Sequence, residues 1–147
     1  MASARLSSPQ DATAYAPDEL ASRHISVSIA VDESNAANGP LEVAAGRHAE
    51  SILPHTHGVI NADVEDALEF TPILIAPGDL VLFDSYLPHR SYENRSDTWR
   101  RSAYLTYNPA SQGDLHAAYY AKKHAAMRAG TAGTISINKD FGGNVVS

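Results

Sequence analysis

His89 and Arg100 are the residues of this chain whose types and spacing best suit a reaction. A neutral imidazole can hold iron, zinc or copper, whereas a guanidinium stays charged at any working pH and grips a carboxylate through a two-bond fork. His89 follows Pro88 after the apolar run Leu80–Phe83, and Arg100 opens the alternating run Arg-Arg-Ser-Ala-Tyr-Leu-Thr-Tyr. That separation can bring both side chains into one cavity, where one would bind a metal and the other an organic acid. Successive side chains of a strand point to opposite faces. Arg100 therefore shares a face with Ser102, Tyr104 and Thr106, whose hydroxyls can share a bound carboxylate. Arg101 sits with the more apolar Ala103, Leu105 and Tyr107.

Strands must position these residues, and the periodicity supplies them. Ile25, Val27, Ile29 and Val31 alternate with Ser26, Ser28 and Ala30, which gives one apolar face and one small, mostly polar face. Asn38-Gly39 signals a turn, so Leu41 to Ala45 reads as a returning strand and the pair as a hairpin. Glu50 to Ala67 shows no sustained period and reads as a long loop over an active site. Phe70 to Ile75 and Leu80 to Ser85 read as two short strands joined by a tight turn at Pro77-Gly78-Asp79. After the strand from Arg100 to Tyr107, Ser111-Gln112-Gly113-Asp114 has the look of a capping box. The alanine-rich Leu115 to Arg128 then predicts a helix ending before Gly130. The tail from Thr131 to Ser147 is expected to pack loosely.

A family resemblance gives these pieces an order. Gln10-Asp11, Asn38-Gly39-Pro40-Leu41-Glu42-Val43, Gly46-Arg47-His48, Pro77-Gly78-Asp79 with Val81-Leu82-Phe83, and His89 with Arg100 together resemble the phytanoyl-CoA dioxygenase family of iron(II)- and 2-oxoglutarate-dependent hydroxylases. The likeness runs from Gln10 to about Tyr120. It implies a mainly β fold, a double-stranded β-helix of jelly-roll, cupin-like type, incomplete at the N-terminus and followed by one C-terminal helix. Residues 1–9 would be a non-family segment, 10–130 the domain and 131–147 a tail. Carried over by position, Asp11 and His89 would be iron ligands, and Arg100 with Ser102 would bind the cosubstrate 2-oxoglutarate. The family motif reads His-Gln-Asp, and its histidine falls on Pro9, which has no donor atom. Two protein ligands hold iron poorly, so the chain as written is expected to be inactive. A truncated or mis-joined N-terminus is the expected origin. His24, on the side of Ser26 and Ser28, is a less favoured substitute ligand. His55 and His57 read as surface residues.

Composition excludes more than it selects. The 147 residues, 44% hydrophobic, suffice for the core of one domain. A net charge of -6 without a basic run leaves no footprint for nucleic acid or an anionic membrane. The absence of cysteine removes disulfides, thiolate metal sites and thiol nucleophiles. With no signal peptide and no span of roughly 20 apolar residues, the expectation is a soluble cytoplasmic protein acting on a small molecule. A homodimer through an exposed sheet edge is expected as well. Two other readings stand beside the oxygenase: a non-catalytic relative that binds 2-oxoglutarate or another small acid, and a cupin-like structural or interaction module.

Overall fold

The computed structural model describes residues 8–11, 23–56 and 58–129. In chain order the strands are β1 (Ile25–Ala30), β2 (Leu41–Val43), β3 (His55–Thr56), β4 (Val59–Ile60), β5 (Thr71–Ile73), β6 (Leu80–Asp84), β7 (His89–Ser91) and β8 (Ser102–Tyr107). The helices are α1 (Ala62–Glu65) and α2 (His116–Arg128). The strands and α1 belong to a unit ending at Gly113, and α2 to a second unit beginning at Asp114. Among the described residues no helix is long and apolar enough to cross a membrane.

Two antiparallel three-stranded sheets carry the first unit, in the orders β6-β1-β8 and β5-β2-β7. Their inner faces meet in a core where Leu41 and Val43 of β2 pack with Phe83 of β6, flanked by Ile73, Val81 and Leu87. This is the mainly β jelly-roll arrangement, a double-stranded β-helix, in which the chain alternates between the two sheets from β1 to β2, from β5 to β6, from β6 to β7 and from β7 to β8. That alternation overturns the expected hairpin. β1 pairs with β6 and β8 while β2 pairs with β5 and β7, so the Asn38-Gly39 turn ends a crossover between sheets. The turn is nonetheless real. Asn38 is buried; its Oδ1 accepts from Asn35 N and its Nδ2 donates to Glu33 O. Gly39 has φ 70°, and a Cβ there would lie 2.4 Å from the Tyr92 carbonyl oxygen. Only glycine fits that approach.

The tight turn at Pro77-Gly78-Asp79 also exists, with Gly78 at φ 91° and the Asp79 carboxylate accepting from Ala76 N at 2.8 Å. It too delivers the chain from one sheet to the other, because β5 and β6 do not pair. The segment read as a long loop is structured instead. It holds the β3–β4 hairpin and α1, with local backbone bonds such as Glu65 N to Asn61 O at 2.9 Å and Asn61 N to Pro54 O at 3.0 Å, and a bond from Ile60 N to Ser8 O across to the N-terminal segment. Two-residue strands and a four-residue helix are too short to leave a period in the sequence.

The faces of β1 run against simple hydrophobic patterning. His24, Ser26, Ser28 and Ala30 are buried, while Ile25 is 41% exposed. On β6 and β8 the residues in register with the apolar face, Leu80, Leu82, Leu105 and Tyr107, are also exposed. The hydroxyl-rich face therefore lines the interior. In the second unit, α2 starts one residue later than expected and ends at Arg128. Its first turn is capped by Asp114, whose Oδ1 accepts from His116 N at 2.9 Å. Ser111 lies instead in a preceding 3₁₀ turn, which corrects the capping-box reading. The tail from 131 lies outside the described residues.

Candidate metal and cosubstrate site

Asp11 and His89 come together although they stand far apart in sequence. β7 begins at His89, opposite Val43 of β2, which turns the imidazole toward the sheet interior. Its ring packs against Phe83 with centroids 5.2 Å apart. Nδ1 lies 3.0 Å from the Leu87 carbonyl, which can only accept, so the neutral ring carries its proton there and presents a lone pair at Nε2. That Nε2 faces Oδ1 of Asp11 at 3.6 Å, with His89 14% and Asp11 31% exposed at the side chain. Ser26 Oγ donates to the other carboxylate oxygen. Two lone pairs facing across this distance repel unless a proton or a metal ion lies between them.

The strand-like segment from Ser8 to Asp11 is fixed along its whole length. Ser8 O accepts from Ile60 N at 3.0 Å, and Pro9 O from His89 N at 3.3 Å. Gln10 is fully buried; its Nε2 donates to Ser51 O at 3.0 Å and to Tyr86 O at 2.6 Å, while its Oε1 accepts from Leu53 N at 2.7 Å. The amide thus pins the Asp11 segment to the chain before β3 and to the turn before β7. Position 9 sits directly beside His89, and it is a proline.

The donor set therefore fits a metal in part. One carboxylate and one imidazole are placed as two ligands of a site would be, but among the described residues no group of three His, Cys, Asp or Glu side chains is arranged to hold a metal ion. His24 is buried on the β1 face that also carries Ser26. Its main-chain N donates to Ser85 Oγ at 3.3 Å. Burial lowers its pKa, partly offset by the carboxylates of Asp11 and Asp84. His55 is exposed and its ring lies 3.1 Å from the Leu53 carbonyl, and His57 lies outside the described residues.

The two arginines before β8 have different partners, and the strand starts at Ser102 and not at Arg100. Arg101 makes a two-bond fork with Asp32, Nε to Oδ2 at 2.8 Å and Nη2 to Oδ1 at 2.9 Å. Those hydrogen bonds hold the Asp32 carboxyl down at about 2. Arg100 is half-buried, and its Nε donates to the main-chain carbonyl of Asn38 at 2.9 Å. Ser102, Tyr104 and Thr106 stand opposite Ala30, Ser28 and Ser26, on the same side as the buried hydroxyls. Gln10, Ser26 and Asn38 support this site without having been singled out for it by sequence. For Gln10 a signal existed, since it lies between Pro9 and Asp11 in the motif.

With this geometry in place, comparison with known proteins is informative. Residues 5–102 match the family described as Phytanoyl-CoA dioxygenase (PhyH). The chain is 41% identical over 119 residues to the methylphosphonate hydroxylase of Gimesia maris, covering 80% of this chain and 45% of that protein. It is 40% identical over 101 residues to a 2-aminoethylphosphonate dioxygenase of an uncultured bacterium, covering 68% and 38%. Among solved structures, EctD from S. alaskensis with 2-oxoglutarate and 5-hydroxyectoine aligns at a TM-score of 0.62 and 26% identity, covering 74% of this chain and 39% of that one. EvdO2 from Micromonospora carbonacea var. aurantiaca, complexed with 2-oxoglutarate, aligns at 0.61 and 27% identity, covering 71% and 45%. The chain spans less than half the length of each of these relatives.

Proposed function

The chain belongs to the phytanoyl-CoA dioxygenase family, and from that premise we propose that it carries the cosubstrate and metal half of a 2-oxoglutarate-dependent hydroxylase for a small organophosphonate. The observation that carries this reading is the lone-pair contact between Asp11 Oδ1 and His89 Nε2, on a chain 41% identical to a methylphosphonate hydroxylase. Asp11 and His89 would hold iron(II). Iron held there, with 2-oxoglutarate and dioxygen, would supply hydroxylation of an unactivated carbon, one oxygen atom going to the product and the other to succinate as carbon dioxide is lost.

The residues of this chain prepare the place. Ser26 orients Asp11 by donating to its second oxygen, and the Leu87 carbonyl fixes the His89 tautomer so that Nε2 is available. Arg100, steadied by Asn38, and Ser102 would receive the far carboxylate of 2-oxoglutarate. Arg101 is unsuited to that role, because Asp32 already occupies its fork. The buried hydroxyl face of β1 suits a small polar substrate better than an acyl chain.

One observation favours a second reading. Pro9 offers no ligand atom at the motif's histidine position. A relative with two metal donors that keeps Arg100 would bind 2-oxoglutarate without turning it over.

Anaerobic titration with iron(II) and 2-oxoglutarate, then succinate measurement with methylphosphonate and 2-aminoethylphosphonate after dioxygen is admitted, separates the two. The hydroxylase reading predicts succinate release that rises with a phosphonate present. Cosubstrate binding without succinate, in the chain and in Pro9→His alike, would replace it with the second reading. Loss of 2-oxoglutarate binding in neither Arg100→Ala nor Ser102→Ala would remove both. We further propose a homodimer along a sheet edge: among the described residues β6 and β8 each pair on one side only. Sedimentation showing a monomer across concentrations would exclude it.

A further inference from the structure

Four charged or hydroxyl-bearing side chains, two buried and two partly buried, form a set that no part of the proposed chemistry uses. β7 sends Arg90 to the face opposite His89, where Nε donates to Glu42 Oε2 of β2 at 2.7 Å. The same guanidinium lies over the Phe70 ring, 3.9 Å from its centroid. Arg90 is thereby anchored within its own sheet. Its Nη1 also reaches Glu65 Oε1 at 3.4 Å, and that same oxygen accepts a hydrogen bond from Ser8 Oγ. Ser8 is fully buried and Glu65 is 7% exposed.

The placement of this carboxylate matters more than its charge. Ser8 immediately precedes Pro9, whose carbonyl accepts from His89 N, and Arg90 immediately follows His89. Glu65 therefore joins the two chain segments that bring Asp11 and His89 face to face, from one residue outside the Pro9–His89 backbone bond on each side. It does so from α1, which follows the β3–β4 hairpin whose Ile60 N donates to Ser8 O. A buried carboxylate needs partners of this kind, since burial without them disfavours its charge. With Arg90 already held by Glu42 and Phe70, the part of the set that Glu65 alone controls is Ser8.

We propose that Glu65 is a positioning residue: it clamps the segment carrying Asp11 onto the strand carrying His89, so that α1 sets the separation of the two candidate metal ligands. The ligand roles rest on the reading of the preceding subsection; the clamp itself does not.

Hydrogen exchange of backbone amides tests it on the full chain. Glu65→Ala should speed exchange at His89 and Ile60, whose N–H groups bond to Pro9 and Ser8, on the order of tenfold, while amides of β1 stay protected. Glu65→Gln keeps an oxygen for Ser8 and should restore most of the protection. Val81→Ala, a truncation on β6 at the flank of the core and away from the clamp, should instead speed exchange evenly across β1 and β7. If Glu65→Ala gives that even pattern, or leaves His89 and Ile60 unchanged, the clamp is wrong. A second readout uses cobalt(II) as the probe in a Pro9→His background. There Glu65→Ala should weaken binding on the order of tenfold, with recovery in Glu65→Gln. Should Pro9→His itself bind no cobalt, the metal reading fails, and the exchange pattern still decides the clamp.

Discussion

Asp11 Oδ1 and His89 Nε2 lie 3.6 Å apart, each the acceptor end of a side chain whose other polar atom is already committed. Ser26 satisfies the second carboxylate oxygen and the Leu87 carbonyl takes the imidazole proton. This contact joins the N-terminal segment to β7, two parts of the chain that share no local structure. It is where the candidate chemistry is concentrated.

Replacing Pro9 by histidine should create a third donor next to this pair. The hydrogen bond from His89 N uses the main-chain carbonyl of residue 9, which the substitution retains. Cobalt(II) binding, followed by its visible absorption, should tighten by about 10–100-fold or more, the range lost when even an outer partner of a ligand is removed. Adding Asp11→Ala should cancel the gain. Equal affinity in the parent chain and the variant would mean that position 9 does not face the metal.

Gln10 ties three segments with one amide. Gln10→Ala leaves the carbonyls of Ser51 and Tyr86 and the N–H of Leu53 without that partner, and should destabilise by about 3 kcal/mol, at roughly 1 kcal/mol for each bond. Urea unfolding reads this directly. A change below about 1 kcal/mol would show that water replaces the amide at little cost.

Gly39→Ala should cost roughly 2 kcal/mol, because φ 70° and the Tyr92 carbonyl both oppose a Cβ. The substitution also displaces the Asn38 carbonyl that holds Arg100. Weaker 2-oxoglutarate binding should therefore accompany the stability loss. Stability loss with unchanged binding would separate the turn from the anchor.

His24 makes stability depend on mild acid. Burial keeps its folded pKa below the ordinary imidazole value of about 6.5, against the partial opposition of Asp11 and Asp84. The unfolded chain then takes up a proton more readily than the folded one. Stability should be full above about pH 6.5 and should fall as the pH drops toward the folded value. Melting temperatures from pH 7.5 to 5 should decline less steeply in His24→Asn than in the parent chain. Parallel curves would assign the slope to other groups.

Leu82 is 64% exposed, on the outer face of β6-β1-β8 with Leu80, Leu105 and Tyr107. Leu82→Gln should change monomer stability by less than about 0.5 kcal/mol, as expected for a surface site. Denaturant titration at low concentration checks it. A loss above about 2 kcal/mol would mean that this face is covered in solution.

Sequence by itself determined the types and much of the order of the elements. The alternation in β1, the turns at Gly39 and Gly78, the strand ending at Tyr107 and the helix through Arg128 all follow from local periodicity and from backbone conformations that few residues tolerate. Motif spacing also singled out Asp11, His89, Arg100 and Ser102, and the face that Ser102 shares with Tyr104 and Thr106 followed from the period of two. What only the tertiary structure decided is which strands pair and what they bury. A turn does not state whether it closes a hairpin or crosses between sheets, so β1 and β2 were misjoined. Nor does alternation say which face is inside: in β1 the serines are buried and Ile25 is exposed, which only the packing of the sheet decides. Glu65 carries no sequence signal, since a lone acid in a four-residue helix resembles any solvated one. Its partners Ser8 and Arg90 converge on it only when the sheets have closed, because side-chain contacts between distant segments depend on packing and not on spacing along the chain.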